Sequence, residues 1–190
     1  MKGGNQRSKL VKNILYASAA AAAMLAASPA LAQAAPTGPR VEAVVGYDKV
    51  KIGGESDGGA LFGIGAGYDF AVAPTVSLGV DVEASESTQK EGDEDIAQVK
   101  AGRDLYAGLR ASLAVTPNAN LYVKGGYTNA RFKATDGEDT FAENVDGYRL
   151  GAGGQVTVTS KAYVGGEYRY SNYEDGLKRH QLALTVGTRF

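Results

Sequence analysis

The chain has 190 residues, enough for one domain, and it contains no cysteine, which excludes disulfide frameworks, thiolate metal sites and cysteine nucleophiles. Its 26 glycines, 11 tyrosines and 44% hydrophobic residues are typical of a chain rich in strands and poor in long apolar helices. Four of the 20 basic residues precede position 13, and without them 16 basic residues face 21 acidic ones, a net charge of -5 that argues against a nucleic-acid partner.

The first 32 residues have the three parts of a secretory signal peptide. A basic start is followed by an Ala-rich apolar run at 14–27, which is shorter than the roughly 20 residues that a transmembrane helix needs. The segment 1–32 ends in Ala-Leu-Ala, so we expect cleavage after Ala32. A short linker at 33–39 follows, and its two prolines disfavour a helix.

From position 40 to the end, the sequence predicts one domain of eight strands. Apolar and polar residues alternate in runs of roughly ten residues, the length that a tilted strand needs to cross a bilayer. The approximate ranges of the runs are 40–49, 59–70, 75–85, 101–115, 120–132, 146–158, 162–171 and 179–190. None of them has sustained helical spacing, so the fold class is all-β and the domain covers 40–190.

Alternation separates the side chains of these strands into two faces. One face is apolar, and the other is rich in glycine and carries charges of both signs. A soluble barrel alternates in the same way, so periodicity alone leaves open which face is buried. Glycines and ion pairs suit the narrow lumen of a small barrel, and we therefore predict an interior polar network. Its residues are Glu42, Asp81, Glu83, Arg110, Lys124, Arg149, Glu167 and Arg169.

The connections between the runs alternate strictly between short and long. Tight links around 73–74, 116–118 and 159–161 alternate with polar stretches at 50–59, 86–100 and 133–145. This distribution is that of an up-and-down barrel in an outer membrane, with both termini on the side of the short turns. Aromatic residues near the ends of the runs suit interfacial girdles. They are Tyr47, Tyr68, Phe70, Tyr127, Tyr148, Tyr168, Tyr170 and Phe190.

The final run, LALTVGTRF at 182–190, resembles the last strand of the eight-stranded outer-membrane barrels of Gram-negative bacteria. The segments LYVKGGYTNARF, DGYRLGAGGQV and GGEYRYSNY have a residue pattern similar to that of strands in the same family. The family includes the opacity-like antigens, the outer-membrane protein X group and the barrel half of outer-membrane protein A. The cell-wall-binding domain of outer-membrane protein A is not expected in this chain.

The resemblance implies a location in the outer membrane and contact with its lipid and lipopolysaccharide, and we expect the protein to be a monomer. It also implies a terminal signal for the barrel-assembly machinery, formed by Leu182, Leu184, Val186 and Phe190. Because an eight-stranded lumen is only just filled by side chains, we expect no open pore. The function expected first is a structural surface protein that supports the envelope or adhesion through its loops. Two alternatives remain: a small porin or transport barrel, and a soluble secreted ligand-binding barrel.

Catalytic, cofactor and metal sites are not predicted. His180 is the single histidine and the one ordinary general base near neutral pH, but no serine lies two residues after it, as a lipid A deacylase pattern requires. The runs GIGAGY and GAGGQV lack the last glycine of G-x-G-x-x-G. Two acidic clusters suit divalent cations but lack EF-hand spacing, which favours solvated loop charges. The clusters are Glu91, Asp93, Glu94 and Asp95, and Asp136, Glu138, Asp139 and Glu143.

Overall fold

The computed structural model describes part of the chain, namely residues 34–52, 55–88, 90–91, 98–136, 139–174 and 177–190. The backbone alone is described at 50–52, 55–57, 90–91, 98–101, 132–136 and 139–143. The predicted signal peptide at 1–32 lies outside the described residues, as do Asp93, Glu94, Asp95 and Glu138 of the acidic clusters.

The described residues form a closed antiparallel barrel of eight long strands and one short extension. The strands are β1 (Gly38–Ile52), β2 (Glu55–Ala73), β3 (Val76–Ser87), β4 (Lys90–Glu91), β5 (Gln98–Thr116), β6 (Ala119–Asp136), β7 (Asp139–Thr157), β8 (Ala162–Tyr173) and β9 (Lys178–Arg189). The long strands pair with their sequence neighbours around the wall, and β1 pairs with β9 to close it. Strand β3 pairs directly with β5, because the two-residue β4 is only a short extension beside β5. This confirms the predicted eight-stranded up-and-down fold. In the described part of the chain, no helix is long and apolar enough to cross a membrane.

Several strands extend well beyond their predicted ends, into segments that were expected to be loops. The β6–β7 hairpin stays paired as far as Asp136 opposite Asp139, although 133–145 was expected to be a loop. At the other end of the barrel, β1 begins at Gly38, inside the predicted linker. Apolar alternation marks a strand only where one face contacts an apolar medium, so it is not sustained in the part of a hairpin that lies beyond that medium. Backbone hydrogen bonds continue there without that signal.

The two faces of the wall have opposite chemistry. The apolar side chains point outward and are well exposed, as with Ile64 at 70%, Leu109 at 68% and Leu184 at 64%. The side chains that point inward are mostly polar or charged, and Arg149 and Arg169 are fully buried. An apolar outer surface of this size is unfavourable in water. In hydrocarbon it is favourable, and the closed barrel also satisfies the backbone hydrogen-bonding groups within the wall.

The segment before β1 folds back against the end of the barrel that carries the short turns. Gly38 has a φ of 93°, a conformation that L residues rarely adopt, and this redirects the chain. The Ala35 N–H then donates to the Pro74 carbonyl at 2.8 Å, and Ala35 is buried. Ala34 and Pro36 line a cavity of about 100 Å³ together with Tyr163, Arg189 and residues of the β5–β6 turn. The segment therefore covers part of the mouth at this end.

Candidate functional site

The polar interior is the candidate functional site. All eight residues of the predicted network are buried and each takes part in an ion pair with another interior charge. The strand period explains the placement, because inward residues two apart, such as Asp81 and Glu83 on β3, stack along the barrel axis. The contacts fall into three groups, which we call lower, middle and upper. The lower group is at the short-turn end of the barrel and the upper group is at the loop end.

The lower cluster lies nearest the short turns and consists of Arg40, Glu42, Asp69, Asp81, Arg110 and Arg189. Asp81 is its centre, since it pairs with Arg40 and accepts a hydrogen bond of 3.0 Å from Arg110 Nε. Arg40 Nε also donates to Asp69 Oδ2 at 3.0 Å, and that oxygen accepts a second bond of 2.8 Å from Arg189. A chain of alternating charges thus joins β1, β2, β3, β5 and β9.

The middle cluster consists of Glu83, Lys124, Glu167 and Arg169. Arg169 donates to Glu83 Oε1 at 2.6 Å and also pairs with Glu167. Lys124 Nζ lies 2.8 Å from Glu167 Oε1 and 3.6 Å from Glu83 Oε2. Because β3 and β8 are not neighbours in the wall, the contact between Glu83 and Arg169 crosses the lumen. This cluster therefore fills the centre of the barrel.

The upper cluster lies nearest the loops and consists of Asp48, Asp104, Arg149 and Arg179. Asp104 pairs with Arg149, and it accepts hydrogen bonds from Arg179 Nη1 at 2.9 Å and from Thr128 Oγ1 at 2.6 Å. Arg179 Nε donates to Asp48 Oδ1 at 2.8 Å. Arg149 also approaches Glu83 at 3.6 Å, which connects the upper cluster to the middle one. The upper and middle clusters are therefore joined by an ion pair.

The network is balanced in charge within the described residues. Seven basic and seven acidic side chains take part in its ion pairs. An unpaired charge in such a space would be costly, because burial removes its hydration, whereas a mutually paired set offsets that cost. Chemically, the arrangement is a polar filling with no excess charge to attract an ion of one sign.

Four buried tyrosines, Tyr106, Tyr122, Tyr163 and Tyr173, fill the space between the charges. Tyr122 donates to Glu167 at 2.6 Å, and the Arg110 guanidinium lies 4.0 Å from the centre of its ring. The Tyr122 ring covers its cross-strand neighbour Gly153, where an added Cβ would lie 2.7 Å from the ring. Tyr122 therefore joins the lower and middle clusters, and the inward glycine makes room for it.

Some interior residues were not in the predicted network, although they belong to it. They are Arg40, Asp48, Asp69, Asp104, Arg179 and Arg189. The signal was present: Arg40 is in phase with inward Glu42, and Arg179 with inward Gln181. Arg40 and Arg179 are the first residues of their predicted runs. The alternation that assigns a residue to one face is least defined there.

The residues of the predicted assembly signal share the outward face of β9. Leu182, Leu184, Val186 and Phe190 are each at least 60% exposed. The Phe190 N–H donates to the Pro39 carbonyl at 3.0 Å, which holds the last residue against the start of β1. The apolar side chains are therefore available to hydrocarbon, or to another protein during assembly.

His180 lies on the same outward side, at the loop end of β9. Its Nδ1 is 2.7 Å from the Tyr168 hydroxyl, and its ring centre is 5.2 Å from that of Tyr170. The side chains of the two acidic clusters lie outside the described residues. Within the described part of the chain, no group of three or more His, Cys, Asp or Glu side chains is arranged to hold a metal ion.

The chain matches the family model of the outer membrane protein beta-barrel domain over residues 18–190. Its structure is similar to Ail, the attachment invasion locus protein of Yersinia pestis, with a TM-score of 0.64 and 15% identity over 82% of this chain and 100% of that one. Neisserial surface protein A gives a TM-score of 0.63 and 16% identity over 81% and 98%. The N-terminal barrel of Pseudomonas aeruginosa OprF gives 0.50 and 15% over 82% and 100%. Curated protein sequences show no match to the chain.

Proposed function

Because the chain belongs to the outer membrane protein beta-barrel domain family of Gram-negative outer membranes, we propose that it is a monomeric structural barrel that neither conducts nor catalyses. In this proposal the barrel supports the envelope, contacts outer-membrane lipid and lipopolysaccharide, and holds four surface loops for recognition. Loops on a rigid scaffold are where binding residues are usually found. The short turns and Phe190 face the periplasm, as in other barrels of this kind.

The observation that carries the non-conducting role is the paired interior. Ion pairs lie at each level of the barrel, from Arg189 in the lower cluster to Asp48 in the upper one, and Tyr122 connects the lower and middle clusters. The contact between Glu83 and Arg169 crosses the lumen at its middle. An ion that entered this space would have to separate several buried pairs, each of which is costly to break.

Conductance across a planar bilayer tests this role. We expect the refolded full-length protein to produce no stepwise currents above those of the bare membrane, while a general porin in the same bilayer produces them. Reproducible channel steps from the folded protein, absent after heat unfolding, would assign it to the porin and transport class instead.

Transport is the second candidate, and a specific feature of the interior favours it. Both polar atoms of the Gln181 amide, Thr185 Oγ1 and Ser85 Oγ are buried without a hydrogen-bond partner in the described protein. Buried polar atoms of this kind are usually satisfied by water. A hydrated path past these residues of β3 and β9 would carry small ions together with water, and the conductance measurement separates this case from the sealed one.

The non-enzymatic part of the proposal is supported by the surroundings of His180. Its close ring contacts are Tyr168 and Tyr170, which provide neither an activated nucleophile nor an orienting carboxylate. A His180→Ala variant that loses a hydrolytic activity towards outer-membrane lipid would contradict this part. We expect no such activity in either protein.

A further inference from the structure

Basic residues are paired in the register of β1 and β9, at the loop end of the barrel. The register pairs Lys49 with His180 and Lys51 with Lys178. Lys49 and Lys178 are exposed, in phase with the outward apolar residues of their strands. Like charges directly opposite each other in a sheet are destabilising, so this arrangement needs an explanation.

Among the described residues, no carboxylate of the wall pairs with these two lysines. Neither Lys49 nor Lys178 forms an ion pair within the described part of the chain, and neither does Glu174, just past β8. By contrast, the outward Arg103 on β5 has Glu86 of β3 directly opposite. Within the described part of the chain, Lys49 and Lys178 therefore carry an unpaired positive charge, which is complementary to an anion.

The cluster lies at the level of the lipid headgroups. The outward apolar residues end at Tyr47 on β1 and at Leu182 on β9, one outward step before Lys49 and His180. The ten residue steps from Phe190 to His180 correspond to about 33 Å along the strand, or about 25 Å across a membrane at a tilt of roughly 40°. That distance equals the usual height of the apolar band of an outer-membrane barrel.

We propose that Lys49, Lys178 and His180 form a binding site for a phosphate group of an outer-leaflet glycolipid, that is, of lipopolysaccharide. The two ammonium groups supply charge-assisted hydrogen bonds to the phosphate oxygens. The hydrogen bond to Tyr168 and the ring contact with Tyr170 hold the His180 ring at the same level. The apolar surface at Leu182, directly below, receives an acyl chain of the same lipid.

This inference rests on the proposed contact between the barrel and lipopolysaccharide, and it is tested on the full chain. Native mass spectrometry of the refolded protein in detergent would measure binding of lipid A that carries two phosphates, of dephosphorylated lipid A and of inorganic phosphate. The variants are the double substitution Lys49→Gln with Lys178→Gln and the charge-preserving pair Lys49→Arg with Lys178→Arg. Lys161→Gln, in the exposed turn between β7 and β8, is the matched control.

The glutamine pair should weaken the binding of phosphorylated lipid A by roughly tenfold or more, because each lysine contributes to attraction by an anionic surface. The arginine pair and Lys161→Gln should bind as the wild type does, and dephosphorylated lipid A should bind weakly to all of them. Unchanged binding by the glutamine pair would overturn the site. Equal binding of inorganic phosphate would overturn the assignment to a lipid. The wider proposal of a barrel surrounded by lipopolysaccharide fails separately, if wild-type protein retains no lipid A of either form.

Discussion

At the residue scale, most interior charges have more than one charged partner. Glu83 lies within ion-pair distance of Lys124, Arg149 and Arg169. Alternation along β3 predicts that Glu83 points inward, but it does not predict these partners. Which inward residues meet across the lumen depends on the stagger of the strands around the closed ring. The sequence therefore predicts membership of the network better than its pairing.

Neutralising Glu83 should be strongly destabilising. We expect Glu83→Gln to lower the free energy of unfolding by about 3 kcal/mol, because it leaves buried cations short of one carboxylate. Urea unfolding followed by circular dichroism in lipid vesicles measures the change. Glu86→Gln is the matched control, since Glu86 is on the same strand but exposed, and its effect should stay below about 1 kcal/mol. Equal changes in the free energy of unfolding for the two variants would contradict a stabilising role of the network.

Gly38 is the residue whose backbone directs the N-terminal segment. Its φ of 93° is unfavourable for alanine, and an added Cβ would collide with the Phe190 carbonyl oxygen. We expect Gly38→Ala to cost about 1–2 kcal/mol in the same unfolding measurement. Gly166→Ala is the control, because a Cβ there meets no atom within 4 Å. A neutral Gly38→Ala would mean that the segment before β1 adopts another path.

At the scale of elements, the strand count and order were predictable because each spanning segment keeps one apolar face. The ends of the strands were not predictable, as the β6–β7 hairpin shows. Residues 133–136 and 139–143 lack the sustained apolar alternation of the spanning runs, and their pairing in β6 and β7 comes from hairpin geometry. The same limit applies at the start of β1, which begins at Gly38, two residues before the predicted run.

The last strand is the element for which an assembly role is proposed. Deletion of Phe190 should reduce the amount of barrel in the outer membrane of cells while still allowing refolding in vitro, because its exposed side chain makes no interior contact. Heat-modifiable gel migration reports the folded barrel in both settings. Phe70→Ala is the control, since Phe70 is an equally outward aromatic near the same end of the barrel. If the deletion accumulated in the membrane as fully as the control, the proposed signal would be wrong.

At the scale of the whole molecule, two opposite solvents explain the pattern of the sequence. The outward face is solvated by hydrocarbon, so residues such as Val45, Leu109 and Leu184 remain exposed in the isolated barrel. On the inward face, the charged side chains pair with one another and with tyrosines in place of water. Periodicity alone could not choose between this arrangement and a soluble barrel with an apolar core. The glycine-rich, charge-balanced composition of the second face and the alternating loop lengths favoured the membrane, and membership of the family confirms it.

The most direct test of this inside-out arrangement uses the absence of cysteine from the chain. Single spin labels would be placed along β9 in lipid-reconstituted protein, and their accessibility to oxygen and to a water-soluble nickel complex would be compared. The substitutions are Leu182→Cys, Ala183→Cys, Leu184→Cys, Thr185→Cys and Val186→Cys. We predict high oxygen accessibility at 182, 184 and 186 and low accessibility to both reagents at 183 and 185. High nickel accessibility at 182, 184 and 186 would show that the apolar face is not in lipid, and would contradict the membrane barrel.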